Sequence, residues 1–272
     1  MSKDNFAVRF LYGTKLGHGM LRLVMNSHVD RAIVKFLWSG LSKPLIGFYI
    51  KNYNIDMSEF KGQTYRSFRE FFIRKRDNVQ FDKNPFHLIS PCDSLLSVFP
   101  ITDDSSFLIK GKNYKLSDLL QDDNLAKKFH GGDCLIFRLC SNDYHRYCYI
   151  DNCYHGKNHY IEGELHTVQP TAFDVFPVYT LNRRMWTLLE TEHFGPVIHT
   201  AVGAFVVGGI VNVNEQKRVA KADEMGYFEL AGSTIVMLFQ KDRISILPEL
   251  AAKLTNGKEV KVTQGMHIAN KK

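Results

Sequence analysis

The sequence is poor in cysteine, with five in 272 residues. That is too sparse, and odd in number, for a disulfide scaffold. It also lacks long apolar runs. The most apolar stretch, Ala201 to Val213, spans 13 residues and holds Gly203, Gly208, Gly209 and Asn212. It is too short and too rich in glycine to cross a bilayer. The first residues, MSKDNFAVRF, carry charge where a secretory leader would be apolar. The thiols are therefore expected to be reduced and the compartment cytoplasmic. No internal repeat and no low-complexity linker is present. Phosphate-binding loops, dinucleotide fingerprints and the G-x-S-x-G elbow are missing too.

What is present is a basic, ordinary globular composition. The hydrophobic fraction is 44%, the charged fraction 23% and the formal net charge +7. An acidic partner fits that balance. The excess sits at the front, where Lys3, Arg9, Lys15, Arg22, Arg31, Lys35 and Lys43 face only Asp4 and Asp30. Leu21, Val24 and Met25, then Ile33, Phe36 and Leu37, recur with helical spacing. Such a basic amphipathic layer suits either the protein's own core or a membrane surface. Nucleic acid is not expected as a partner, because no zinc-finger, RNP or KH pattern occurs.

Residues 5 to about 75 read helical, ending in the basic run Arg74-Lys75-Arg76. From about 88 onward, short β-type runs alternate with Gly, Pro and Asn/Asp: Leu95–Ile101, Cys134–Cys140, Tyr147–Ile150, His159–Glu164, Met185–Glu190, Val197–Val213, Tyr227–Leu230 and Thr234–Phe239. Helices are expected over Lys115–Phe129, capped by Ser117, and over Leu247–Leu254. The expected fold is α+β: an N-terminal amphipathic helical layer (1–75) on a β-rich, sandwich- or barrel-like body (76–272).

Cys134, Cys140, His145, Cys148, Cys153, His155 and His159 crowd one region. They lack the paired C-x2-C spacing of a zinc site, so no metal is expected there. The most informative stretch runs from Lys221 to Phe239: a strand, an interruption at Ala231-Gly232, then Ser233 and a continuous apolar strand. A bulge is one reading. Chemically, the Gly232-Ser233 bond also sets a hydroxyl beside an unhindered carbonyl. Attack by Ser233 Oγ converts amide to ester. Elimination then leaves dehydroalanine, which hydrolyses to a pyruvoyl group.

This stretch resembles the processing site of the pyruvoyl-dependent phosphatidylserine decarboxylases. Other blocks agree in order. Phe71-Phe72-Ile73-Arg74 is similar to the family's Phe-Phe-x-Arg, and Ser90-Pro91-Cys92-Asp93-Ser94 to its Ser-Pro-x-Asp-Gly. Arg138 with Asp143-Tyr144-His145-Arg146 resembles its Arg…Asp-Tyr-His-Arg block. Gly163 to Pro170, Asn182-Arg183-Arg184, Phe194-Gly195 and Val202-Gly203-Ala204…Val207-Gly208 follow. Three positions depart: Ser94 and Ala222 stand where glycine is usual, and Cys148 where the family has a second histidine.

The resemblance implies self-cleavage between Gly232 and Ser233 into two chains that stay associated. The pyruvoyl made from Ser233 would then decarboxylate phosphatidylserine through a Schiff base, with no metal or external cofactor. It implies an Asp-His-Ser relay in which Asp93 orients the base. That base is either His145 or a Cys148 thiolate aided by Arg146. His145 is favoured, because neutral imidazole accepts a proton near pH 7; His166 is next in line. A phospholipid substrate tips the N-terminal layer toward the cytoplasmic face of a membrane, bound peripherally. The competing classes are an uncleaved lipid-binding relative, a pyruvoyl decarboxylase of a soluble amino acid, and a β-rich carrier in which Gly232-Ser233 is only a bulge.

Overall fold

The computed structural model describes Thr14 and residues 27–109, 112–164, 166–168, 176–204, 209–230, 233–255 and 258–272. The apolar stripe Leu21, Val24 and Met25, and Gly232 of the expected cleavage site, lie outside the described residues. At the centre is an eight-stranded sheet with every neighbouring pair antiparallel. Its order is Lys217–Val219, Cys153–Ile161, Arg184–Thr191, Gly195–Val202, Ser233–Phe239, Asp133–Leu139, Ser94–Pro100 and Val260–Val262. The two end strands do not pair with each other, so the sheet is open rather than a closed barrel.

The strand Ser233–Phe239 is buried along its whole length, which explains its unbroken apolar sequence. A strand covered on both faces needs no polar alternation. Ile235, Met237 and Phe239 join a core with Phe137, Leu139, Tyr147, Cys148 and Phe228. Val236 and Leu238 join a second core with Ile136, Ile198, Phe107 and Leu119 on the opposite face. Two three-stranded sheets cover the first core. One consists of His87–Ile89, His267–Lys271 and Ile244–Ile246; the other of Ile210–Asn212, Glu224–Phe228 and Arg146–Cys148. The α+β expectation with a β-rich, layered body therefore holds.

Some expected elements divide. The single helix over Lys115–Phe129 is two short helices, Leu116–Leu120 and Asp123–Lys127. Gln121 is left-handed (φ 53°), and the Asp122 side chain caps the second helix by accepting from Leu125 N. Asp122 offers a stronger restart than continuation through Gln121, whereas Ser117 lies inside the first helix. The run Val197–Val213 likewise separates into Gly195–Val202 and Ile210–Asn212.

The helical front packs partly onto the body. Ser67 caps the helix Phe68–Phe72 by accepting from Glu70 N. Phe68, Phe71 and Phe72 form a third core with Ile55 and Leu230, against which Val34, Leu37, Ile46 and Tyr49 pack. Arg74 is buried over the rings of Phe60 and Phe71. Arg76 bonds Glu59 and Asp93, and Lys75 bonds Glu224. The basic run is therefore a clamp within the molecule. The outer side of the layer is different: Phe36, Trp38, Leu41, Leu45 and Phe48 are exposed beside Lys35, Lys43 and Lys51.

Register fixes one corner of the large sheet. Leu95 pairs with Arg138, Arg138 with Thr234, and Thr234 with Val202. One residue toward the sheet end, Ser233 pairs with Leu139 and Val262 with Ser94. Ser94 and Ser233 thus stand two strand spacings apart, roughly 10 Å, with Asp93 just beyond Ser94.

Candidate active site

Ser233 opens its strand and is 1% exposed. By strand alternation its side chain shares the face of Ile235 and Met237, the face covered by Tyr147, Cys148 and Phe228. His145 is tied to the segments that lead toward this strand. Its backbone carbonyl accepts from Phe228 N at 3.0 Å, and its ring packs on Phe72 with centroids 4.3 Å apart. Phe72 in turn shares a core with Leu230. Chain segments on both sides of His145 are thereby tied to the stretch that leads into Ser233.

The state of the His145 ring follows from its partners. Nδ1 lies 3.0 Å from the carbonyl oxygen of Asp143. A carbonyl can only accept, so Nδ1 carries the proton and Nε2 keeps its lone pair. That Nε2 is buried, with no hydrogen-bond partner among the described residues. Burial lowers the pKa of His145 to about 3, partly opposed by the Asp143 bond and the charge of Asp93, and reinforced by Arg74 and Lys261. The ring is therefore neutral, of one tautomer, and holds an unused acceptor. Leaving such an atom unpaired costs about 1–3 kcal/mol, a cost expected where the acceptor has work to do.

The turn that presents Asp143 is itself pinned. Asp143 N donates to Cys140 O at 2.9 Å, Cys140 N donates to Asp143 Oδ2 at 2.7 Å, and Lys261 bonds Asp143 Oδ1. Sequence reasoning did not single out Asp143 as the group that orients the imidazole. Its position two residues before His145 was the available signal. Lys261, far along the chain, gave none.

Asp93 is held differently from the expected relay. Its Oδ2 accepts from Arg76 at 2.7 Å and its Oδ1 from Gln264 N at 2.8 Å. Among the described residues it makes no hydrogen bond to His145. The guanidinium is the stronger, charge-assisted partner. The nearby carboxylate still favours the imidazolium that forms when His145 takes up a proton.

Cys148 is a poor base in this setting. It is 2% exposed, and burial pushes its thiol up to about 12, with Gln264 and Lys221 lowering and Asp93 raising it. Arg146, expected to assist a thiolate, instead donates to the carbonyls of Ile73 and Arg74 and to Glu224. The thiol stays protonated at neutral pH and behaves as a small buried side chain. It borders a cleft of about 380 Å³ with Arg76, Tyr144, Arg146, Lys221 and Gln264. His166 is committed as well: its Nε2 lies 2.5 Å from Glu164 Oε2 and its ring stacks on Phe176, which packs against the second core.

Other motif residues build the scaffold. Arg138 is paired with Glu259 through two hydrogen bonds. The Asn182 amide donates to the carbonyls of His166 and Gly203, fixing the residue that follows Val202 beside Ser233. Arg184 donates to four carbonyls, those of Asp118, Leu119, Thr180 and Asn182.

A family profile described as phosphatidylserine decarboxylase matches residues 68–269. The chain is 40% identical over 267 residues to phosphatidylserine decarboxylase proenzyme 2 of Clostridium acetobutylicum, covering 97% of this chain and 91% of that protein. It is 35% identical over 272 residues to the phosphatidylserine decarboxylase proenzyme of Clostridium kluyveri (97% and 92% covered). The protein of the same name from Clostridium tetani is 36% identical over 242 residues (86% and 81%). The chain belongs to the phosphatidylserine decarboxylase family.

Within that family, one departure has a visible backbone consequence. Ala222 stands where glycine is usual and adopts φ 67°, a conformation that a Cβ disfavours by about 1–2 kcal/mol. The added freedom of glycine when unfolded offsets part of that. Ala222→Gly is expected to stabilise the chain by up to about 1 kcal/mol, read as a higher denaturant midpoint.

The buried histidines also set a pH response. Burial lowers both His145 and His199 to about 3, from 6.5 when unfolded. The unfolded chain therefore binds their protons first. Their contribution is complete above pH 6.5 and is lost as pH falls toward 3. Each group adds a slope of up to about 1.4 kcal/mol per pH unit in that window. Urea unfolding of the Ser233→Ala chain at pH 7 and pH 5 should show the lower midpoint at pH 5.

Proposed function

We propose that this chain decarboxylates phosphatidylserine to phosphatidylethanolamine, as its family does, through a pyruvoyl group made from Ser233. The observation that carries the reading is the neutral, unpartnered Nε2 of His145, a residue tied through Phe228 and Phe72 to the segment that leads into Ser233. A buried hydroxyl facing the side of the sheet that also carries a neutral base fits a serine that becomes the prosthetic group.

Maturation uses the chain's own groups. His145 Nε2 takes the Ser233 Oγ proton, and Oγ attacks the Gly232 carbonyl, turning the amide into an ester and freeing the Ser233 nitrogen. Loss of the Ser233 Hα then expels the Gly232 carboxylate. Dehydroalanine remains; its enamine becomes an imine, and water releases ammonia and leaves the pyruvoyl carbonyl. When formed, that carbonyl supplies an electron sink for a bound substrate amine. Asp93 steadies the charged imidazole, and Lys261 with Asp143 holds its tautomer. The cleft beside Cys148 is sized for a polar head group. Activity on phosphatidylserine in vesicles or mixed micelles, with phosphatidylethanolamine as product, tests the reading. Equal turnover of free serine without lipid would overturn the substrate assignment.

The two chains, 1–232 and 233–272, remain together in this reading. The later one supplies strands to both the eight-stranded sheet and the His87–Ile89 sheet. Residues 1–75 serve as the membrane-associating part of the catalytic body 76–272. Among the described residues no helix is long and apolar enough to cross a membrane. Peripheral docking at the cytoplasmic face is instead supported by Leu41 and Phe48, 79% and 70% exposed, beside Lys43 and Lys51. Burying both in a lipid interface is worth about 3–6 kcal/mol. Leu41→Glu with Phe48→Glu should weaken vesicle binding at least about 100-fold. Binding by the parent should fall with salt. Unchanged binding by the double variant would assign these residues to another role.

A further inference from the structure

We propose that Asp82, His87 and His267 form a binding site for a divalent transition metal of the zinc type. His87 lies on the strand His87–Ile89 and His267 on its antiparallel partner His267–Lys271. A register shift between Leu88 and Ile89 accompanies an arrangement in which the two imidazoles lie parallel, with centroids 3.7 Å apart. Asp82 Oδ2 is 3.1 Å from His87 Nδ1. Ligand atoms of all three side chains lie within 4.8 Å of one another. Four-coordinate zinc, with bonds of about 2.0–2.2 Å, places its ligand atoms about 3.3–3.6 Å apart. The rings are stacked 2° from parallel, so binding requires them to splay until their lone pairs meet at one point.

The two rings are held differently. His267 Nε2 donates to Asn270 Oδ1 at 3.0 Å, which leaves its Nδ1 for the ion. Asn84 Nδ2 donates to His87 Nε2 at 3.0 Å, so the His87 proton sits on Nδ1 against Asp82; an ion at that Nδ1 moves the proton to Nε2 and breaks the Asn84 contact. Asn84 N donates to Asp82 Oδ1 at 2.8 Å. Lys221 Nζ, which donates to the carbonyls of Asn84 and His87, locks the loop. Two imidazoles and one carboxylate select zinc, cobalt or nickel over magnesium or calcium, which prefer oxygen. Solvent supplies the fourth ligand. The crowded Cys/His region of the sequence does not provide this site; its cysteines remain free thiols.

The placement suggests what the ion does. Asp82 and His87 precede Ser233, and His267 follows it. On the proposed self-cleavage, one ion would be held by both chains and act as a clasp between them.

The test uses the full-length protein, stripped of metal and titrated with zinc ion alone. One equivalent is expected to bind. At a free zinc concentration 100 times the dissociation constant, the folded state should be favoured about 100-fold, read as a rise in the thermal midpoint. Cobalt should give the visible absorption of a four-coordinate site. His267→Ala and Asp82→Asn should each weaken binding at least tenfold, whereas His130→Ala, an exposed histidine elsewhere, should not. No stoichiometric binding, or a zinc response undiminished in His267→Ala, would overturn the site. Ser233→Ala separates this from the processing reading. The uncleaved variant should bind zinc equally, whereas only a processed protein should show zinc slowing the separation of two chains in denaturant.

Discussion

Ser233→Ala is expected to yield one intact 31.3 kDa chain with phosphatidylserine decarboxylation reduced to background. On the proposed mechanism the substitution removes the hydroxyl that attacks the Gly232 carbonyl, while altering the fold little. Ser233 is buried in a fully paired strand, and alanine fits the same space. Loss of activity therefore reports lost chemistry. Intact mass supplies the decisive reading in the parent protein. It should show two chains, the shorter beginning at residue 233 with no free amino terminus, so that sequential amino-terminal degradation stalls. Serine released at its first cycle would mean cleavage by hydrolysis without pyruvoyl formation. A single uncleaved parent chain would instead favour the lipid-binding relative. Normal processing of Ser233→Ala would sink the assignment altogether.

The second large effect separates the two candidate bases. His145→Ala should accumulate uncleaved chain, slowing maturation by about 100-fold or more, the usual scale for a lost general base. Cys148→Ala should mature at close to the parent rate. The asymmetry comes from protonation. At pH 7 an imidazole lowered to about 3 is neutral with its Nε2 lone pair free, whereas a thiol raised to about 12 is almost never a thiolate. Asp93→Asn should fall between them: it keeps most of the shape but removes the charge that favours imidazolium and unbalances Arg76. A self-cleavage time course of the three variants decides the order. Rapid processing in His145→Ala with failure in Cys148→Ala would reverse the assignment.

Much of this was legible in the sequence because the relevant signals are local. The apolar run after Ser233 declares a buried strand within a few residues, whereas the Asp-Tyr-His-Arg and Phe-Phe blocks stood out only by their resemblance to the family. What the sequence concealed is long-range. Nothing near Asp93 announces that Arg76 and Gln264 will occupy its two oxygens. Nothing near Asp143 announces Lys261. The small strands His87–Ile89, Ile244–Ile246 and Val260–Val262 are too short for a periodic pattern and exist because partners distant in sequence complete them. The helix over Lys115–Phe129 misled for a local reason: its apolar residues continue past the left-handed Gln121 that ends the first helix, and Asp122 caps a second one.

The placement of Ser233–Phe239 between Asp133–Leu139 and Gly195–Val202 has a consequence for the lifetime of the molecule. A strand in the middle of a sheet is inserted while the chain is continuous. With the link at Gly232 cut, re-forming it from denatured pieces becomes a second-order search by a short, strongly apolar peptide, in competition with aggregation. Processing on this reading would make folding a one-time event. Durability of the working enzyme would then rest on how slowly it opens, not on an equilibrium to which it can return.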